Sequence, residues 1–127
     1  MNVLLVSVKN TFMNLSNYEY DLYRAATACW YIQGRGNYDA QQMLDISYVV
    51  AFFNGEVVGV LEPTEWFRVD DRAPDQLNLR NRWCFKGEVI SKGNPLVSQV
   101  VNHDLLNKSN GAAAFVENVN FFTDLVI

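Results

Sequence analysis

The hydrophobic positions along the chain follow strand-like patterns in three places. Residues 3–8, VLLVSV, form a short continuous apolar run, which is typical of a strand covered on both faces. Residues 82–90, RWCFKGEVI, alternate between apolar and polar side chains, as a half-buried strand does. Residues 112–122, AAAFVENVNFF, fit either a strand or a helix, and we predict a final strand because closing a sheet requires one.

A hairpin is predicted within the segment VVAFFNGEVVGVLEPTEW. The Asn-Gly pair at 54–55 suits a two-residue type I′ turn, because both positions tolerate positive φ. That turn pairs Phe52 with Val57 and Tyr48 with Leu61. Both faces of the hairpin are then apolar in the middle, which indicates a closed or nearly closed sheet with a helix packed outside it.

The same register assigns the side chains of the second hairpin strand to faces. Leu61 shares a face with Phe52, and Val60 lies on the opposite face. Pro63 has no N–H to donate to a strand ladder, so regular pairing is expected to end there. Trp66 is then expected near the rim of the sheet.

Three segments carry helix signals. Ser16 and Glu19 have the spacing of a capping box and predict a helix over 17–28. Residues 38–45, YDAQQMLD, predict a brief helix whose methionine and leucine face inward. An asparagine-proline pair, acting as N-cap and first helical residue, predicts a helix over 95–106.

Length and charge narrow the functional classes. The chain has 127 residues, enough for a single domain over 1–127. Half of its residues are hydrophobic, and its net charge is -4. Phosphate backbones repel an acidic protein, which argues against charge-driven binding of nucleic-acid polymers but leaves room for recognition of one flipped or free base.

The start of the chain predicts the cellular compartment of the protein, and its cysteine count predicts whether its thiols are free. The apolar run after Met1 is short and has no basic segment before it, so we expect neither a signal peptide nor a membrane span. Cytoplasm is the expected location. Cys29 and Cys84 are too few for a disulfide scaffold and are expected to be buried thiols.

Catalytic and metal-binding patterns are missing from the sequence. His103 is the only histidine, and no nucleophile-elbow motif accompanies it. One histidine and two distant cysteines have none of the spacings of a zinc site. We therefore expect a non-enzymatic protein with no metal and no cofactor.

The tryptophans are the stronger lead, because Trp30, Trp66 and Trp83 each follow or lie in a predicted strand. Core packing is one explanation, since a tryptophan buries on the order of 150–250 Å². The other is that strand ends meet at a barrel rim, where aromatic planes hold a flat ligand with ~1–3 kcal/mol per stacked base. Three arginines are near enough in sequence to supply a charged edge: Arg24, Arg68 and Arg82.

The order of these pieces resembles the PUA-like superfamily, broadly its EVE, ASCH and YTH groups. The likeness covers residues 20–120 and follows the loose pattern W…NG.V.GV…W…RW.F.GE, with AATACWYI before it and FVENVNFF after it. It implies an α+β fold, a mixed β-pseudobarrel of about five to six strands with two to three packed helices.

The resemblance also implies a cleft that receives RNA or a modified base against aromatic side chains. Carried onto this chain, the candidates are Trp30, Trp66, Trp83 and Asn118, with Arg82 nearby. The acidic net charge differs from the basic face expected of members that bind nucleic-acid backbones. It argues against binding of a polymer more than against binding of a small ligand.

Two functions follow as expectations. The first is a binding domain for a base-like ligand in an aromatic-lined cleft: RNA, a modified nucleobase or a nucleotide. The alternative is a protein-interaction or homodimerisation module, because the apolar fraction is high and AAAFVENVNFF could pair as an edge strand with another copy.

Overall fold

A mixed sheet of six strands dominates the part of the chain that the computed structural model describes: residues 1–8, 23, 26–27, 30–32, 38–53, 56–68, 82–91, 93–102, 113–117 and 119. The strands are β1 (Asn2–Ser7), β2 (Trp30–Tyr31), β3 (Ile46–Phe53), β4 (Glu56–Arg68), β5 (Arg82–Val89) and β6 (Ala113–Val116). A 3₁₀-helix (Gln42–Asp45) precedes β3, and an α-helix, α1 (Pro95–Asn102), precedes β6.

The strand order across the sheet is β2-β5-β4-β3-β1-β6. β1 runs parallel to β3, and the other neighbouring strands are antiparallel. β1 therefore lies inside the sheet, and residues 3–6 are buried on both faces, which confirms the expectation for the first apolar run. The N-terminal amino group of Met1 and the carbonyl oxygen of Val119 lie 2.9 Å apart and continue the β1–β6 pairing.

The two faces of the sheet bury separate hydrophobic clusters. One cluster, here the barrel core, is formed by Leu4, Val6, Val8, Ala26, Ile32, Met43, Ile46, Val49, Ala51, Leu61, Trp66, Trp83 and Phe85. The other, here the helix-side core, is formed by Val3, Leu5, Val50, Val60, Leu96, Val100, Val116 and Val119. α1 supplies Leu96 and Val100 to the helix-side core and so covers that face.

The sheet curls around the barrel core until it is nearly closed. Trp30 from one edge strand and Phe115 from the other both pack against this same cluster, although the two strands lie at opposite ends of the strand order. The predicted β-pseudobarrel of mixed strands is thereby confirmed at the level of architecture.

The predicted turn at 54–55 lies outside the described residues; the hairpin register is right for the two pairs that flank it and wrong beyond them. Phe52 pairs with Val57 as predicted, but Ala51 pairs with Gly59. Val58 is therefore an extra residue in β4, a β-bulge that moves all later pairs by one position. The bulge places Leu61 in the barrel core and Val60 in the helix-side core, the reverse of the prediction.

A second bulge carries β4 past its proline. Pro63 pairs with Gly87 and Glu65 with Lys86, so Thr64 is the extra residue. The prediction that pairing ends at Pro63 is wrong: β4 continues to Arg68. A bulge suits this position because it interrupts the ladder where proline has no N–H to donate.

The helix predictions are confirmed in part. Pro95 begins α1, and the side-chain oxygen of Asn94 accepts a hydrogen bond of 2.9 Å from the N–H of Leu96. The predicted end of that helix, residues 103–106, lies outside the described residues. In the 3₁₀-helix Met43 is buried but Leu44 is 46% exposed, because consecutive residues with three per turn point about 120° apart.

Most of the helix predicted over 17–28 also lies outside the described residues. Tyr23 and Ala26 are helical, and the N–H of Thr27 donates to the carbonyl oxygen of Tyr23 at 2.9 Å. The described residues thus hold one α-helix with assigned bounds, fewer than the predicted two to three. No helix among them is long and apolar enough to cross a membrane.

Cys84 is disulfide-bonded, which overturns the expectation of two buried thiols. Cys29 is the only other cysteine in the sequence and directly precedes β2, while Cys84 directly follows Trp83, the β5 partner of Trp30. Within the chain, position 29 holds the only possible partner, although Cys29 itself lies outside the described residues. The sequence distance between the two cysteines gave no signal for such a bond.

We expect Gly87→Ala to destabilise the fold. A Cβ at Gly87 would lie closer than 3.0 Å to backbone atoms of Glu62 and Pro63, at the second bulge. Overpacking of this kind costs about 1–3 kcal/mol, and backbone atoms cannot move aside as a side chain can. Urea unfolding should show a lower midpoint.

Gly93→Ala is the matched control for that substitution. A Cβ there would have Ser91 Oγ as its nearest neighbour at 4.0 Å, so its unfolding midpoint should stay close to wild type. Equal midpoints for Gly87→Ala and wild type would contradict the close strand approach.

Reduction of the Cys84 disulfide should lower the free energy of unfolding. Closing a loop of this length contributes about 4 kcal/mol in the chain-entropy description. Urea unfolding with and without dithiothreitol measures the difference, and a variant with both cysteines changed to alanine should unfold at one midpoint under either condition. Wild-type curves that coincide with and without reductant would contradict the bond.

Candidate ligand-binding site

Three side chains lie side by side across neighbouring strands at one end of the barrel core. Trp30 of β2 pairs with Trp83 of β5, and Trp83 pairs in turn with Arg68 of β4. Directly paired residues present their side chains on the same face of a sheet. Arg68 places its Cζ atom 4.5 Å from the centroid of the Trp83 ring, which is a cation–π contact.

Arg68 is held in place from a second direction. Its Nη2 donates a hydrogen bond to the backbone carbonyl oxygen of Tyr38. The Tyr38 side chain is half-buried and packs against the barrel core. The guanidinium group therefore bridges the end of β4, the ring of Trp83 and the segment before the 3₁₀-helix, which fixes the position of its charge.

Trp30 is anchored by its indole nitrogen. Nε1 donates to the carbonyl oxygen of Ala26 at 2.7 Å, and Ala26 is fully buried in the barrel core. The hydrogen bond fixes the ring of Trp30 on the edge strand while leaving it half-buried. Trp30 is thus the least buried of the three tryptophans and lies beside Trp83.

Trp66 and Phe85 form the next layer. They pair across β4 and β5, with ring centroids 5.1 Å apart and planes tilted by 39°. Each lies two residues from a member of the cation–π pair, Arg68 or Trp83, so strand alternation puts all four side chains on one face. Trp66 is 3% exposed and Trp83 is 1% exposed.

These side chains make up what we call the aromatic end of the barrel core. Its buried floor consists of Trp66, Trp83 and Phe85, and its half-buried rim consists of Trp30, Tyr38 and Arg68. The structure thus brings the three predicted tryptophans together, with Trp66 in the floor and not at the rim. Core packing accounts for the contacts of Trp66 and Trp83, while Trp30 provides the accessible ring.

Two other predicted site residues lie elsewhere. Arg82 pairs with Tyr31, whose side chain is 60% exposed. Being adjacent to Trp83 in β5, Arg82 is directed to the opposite face of the sheet, and Arg68 takes the place beside the tryptophan ring. Asn118 lies outside the described residues.

Sequence reasoning passed over Tyr38 and Phe85. Phe85 could have been predicted, because the alternation in RWCFKGEVI already puts it on the same face as Trp83. Tyr38 could not, since its contact with Arg68 joins residues 30 positions apart. Only the fold brings these two segments together.

The aromatic end offers stacking surfaces, one fixed cation and hydrogen-bond donors. No group of three His, Cys, Asp or Glu side chains is gathered to hold a metal ion within the described part of the chain. The side chains gathered at the aromatic end are of the types that can contact a flat or an anionic group.

Comparison with protein-family models, with curated proteins and with solved structures finds no match for this chain. The resemblance to the PUA-like superfamily stays a prediction.

Proposed function

We propose that the chain is a non-enzymatic binding domain whose aromatic end takes a base-like ligand: a modified nucleobase, a nucleotide or a base within RNA. The observation that carries the proposal is the row Trp30–Trp83–Arg68, which sets the half-buried Trp30 and the guanidinium of Arg68 on either side of the buried Trp83. Both groups are at the rim, where a ligand arrives first.

Each rim group contributes a different interaction. A flat ring stacked on the accessible part of Trp30 gains ~1–3 kcal/mol. The guanidinium of Arg68 presents planar donors that suit a carbonyl edge or a phosphate. One fixed cation in a chain of net charge -4 favours a single nucleotide over a long phosphate backbone.

The proposal includes the cytoplasm as the working compartment. Thiols are kept reduced there, and cytosolic disulfides are usually transient. The disulfide of Cys84 would be reduced under those conditions, so binding should be measured with and without reductant.

Saturable binding of at least one base-like ligand is the expected result. Intrinsic tryptophan fluorescence should be titrated with nucleosides, modified nucleosides, nucleotides and short RNAs. Arg68→Met removes the stacked cation and should weaken ligand binding about tenfold, a change of ~1.4 kcal/mol in binding free energy. Arg82→Met removes a charge from the opposite face and should leave affinity unchanged.

Two outcomes would count against the proposal. If the tryptophan fluorescence changes with none of the nucleosides, nucleotides or RNAs, the aromatic end does not bind a ligand of this class. Equal weakening by Arg68→Met and Arg82→Met would show that overall charge, and not the stacked guanidinium, governs binding.

Self-association is the second candidate function, and the position of β6 favours it. β6 is the last strand in the order, paired with β1, and its sequence AAFV is apolar. An apolar strand at a sheet edge is a template for pairing with another copy.

We expect light scattering at high protein concentration to give twice the monomer mass of 14.5 kDa if β6 mediates dimer formation. A mass that stays at the monomer value over the whole concentration range rejects this candidate. The ligand-binding proposal is unaffected by either result.

A further inference from the structure

Trp66 carries a buried hydrogen-bond donor with no acceptor. Its side chain is 3% exposed, and its Nε1 finds no partner among the residues that the structure describes. Trp30 shows the contrast, because its own Nε1 reaches the carbonyl oxygen of Ala26 at 2.7 Å. The two indoles belong to the same barrel core, and only one is satisfied.

An unpaired buried donor is unusual and needs a reason. About 90% or more of buried polar groups have a hydrogen-bond partner. An indole has no acceptor of its own and can only donate. The neighbouring Phe85 fills its position with a ring that has no polar atom, so packing alone does not require an N–H in this layer.

The position of Trp66 connects the unpaired donor to the proposed ligand site. Trp66 is two residues before Arg68 on one face of β4, and its partner Phe85 is two residues after Trp83 on β5. Two residues of a strand span about 7 Å. A planar ligand that enters beside the cation–π pair and reaches one layer inward would bring its edge to the indole.

We propose that the Nε1–H of Trp66 is a specificity-determining donor, which pairs with an acceptor on the inner edge of the ligand. This inference rests on the proposed function. The ligand class is a planar heterocycle whose edge carries a carbonyl oxygen or an unprotonated ring nitrogen. A ligand whose inner edge offers only C–H groups would leave the donor unpaired and bind less tightly.

Paired probes that differ in one acceptor test the proposal. Isothermal titration calorimetry should compare adenosine with 1-deaza-, 3-deaza- and 7-deazaadenosine, each of which replaces one unprotonated ring nitrogen by C–H. In wild type, one replacement of nitrogen by C–H should weaken binding about tenfold. Trp66→Phe keeps an aromatic ring but has no N–H, and it should bind the parent nucleoside about tenfold more weakly and lose that discrimination.

The loss of discrimination separates recognition from a structural role. If Trp66 only supports the fold, Trp66→Phe lowers the affinity for parent and analogue by the same factor and leaves their ratio intact, which overturns the inference. Should Trp66→Phe fail to fold, replacement of Trp66 by β-(3-benzothienyl)alanine keeps the shape of the indole without its N–H and gives the same comparison.

The remaining outcomes are also decisive. If wild type binds adenosine and all of its analogues equally, the inference is overturned but the proposed function stands. If wild type binds neither adenosine nor any of the analogues, both are overturned for this base. Discrimination that is present in wild type and absent in the Trp66 variant supports the inference.

Discussion

The interior of this protein depends on which residues of β4 face each side of the sheet. Side chains alternate between the two faces of a strand, so one inserted residue exchanges the faces of everything beyond it. β4 contains two such insertions, at Val58 and Thr64. The first brings Leu61 to the barrel core, and the second brings Trp66 to the same face. Without the second bulge, Trp66 and Arg68 would lie on the helix side, and the aromatic end would not exist.

Local patterns were enough to predict the strands but not their faces. The apolar run of β1, the alternation in β5 and the Asn-Pro start of α1 each depend on neighbouring residues, and each was predicted correctly. The bulges are set by distant contacts instead: Pro63 meets Gly87 on another strand, and only a residue without a side chain allows that approach. A rule that reads Pro63 alone therefore ended β4 too early.

The parts of the site that depend on local sequence were predicted, and the parts that depend on distant contacts were not. Tryptophans stand out in any sequence, and Trp30, Trp66 and Trp83 do share one cluster. The alternation in RWCFKGEVI already placed Arg82 on the face opposite Trp83. The position of Arg68 beside Trp83 could not be predicted, because it depends on the β4–β5 register. The unsatisfied Nε1 of Trp66 could not be inferred from sequence, since it depends on which acceptors the fold places around the ring.

The disulfide of Cys84 has a consequence for the integrity of the chain. Since position 29 holds the only other cysteine of the sequence, a bond within the chain closes a covalent ring that contains β2, β3, β4 and sequence positions 69–81. A protease that cuts once inside this ring leaves two pieces still joined through sulfur, and the register of β4 against β5 can survive the cut. The nicked protein then still migrates as one covalent species, and its two fragments separate only when the disulfide is reduced.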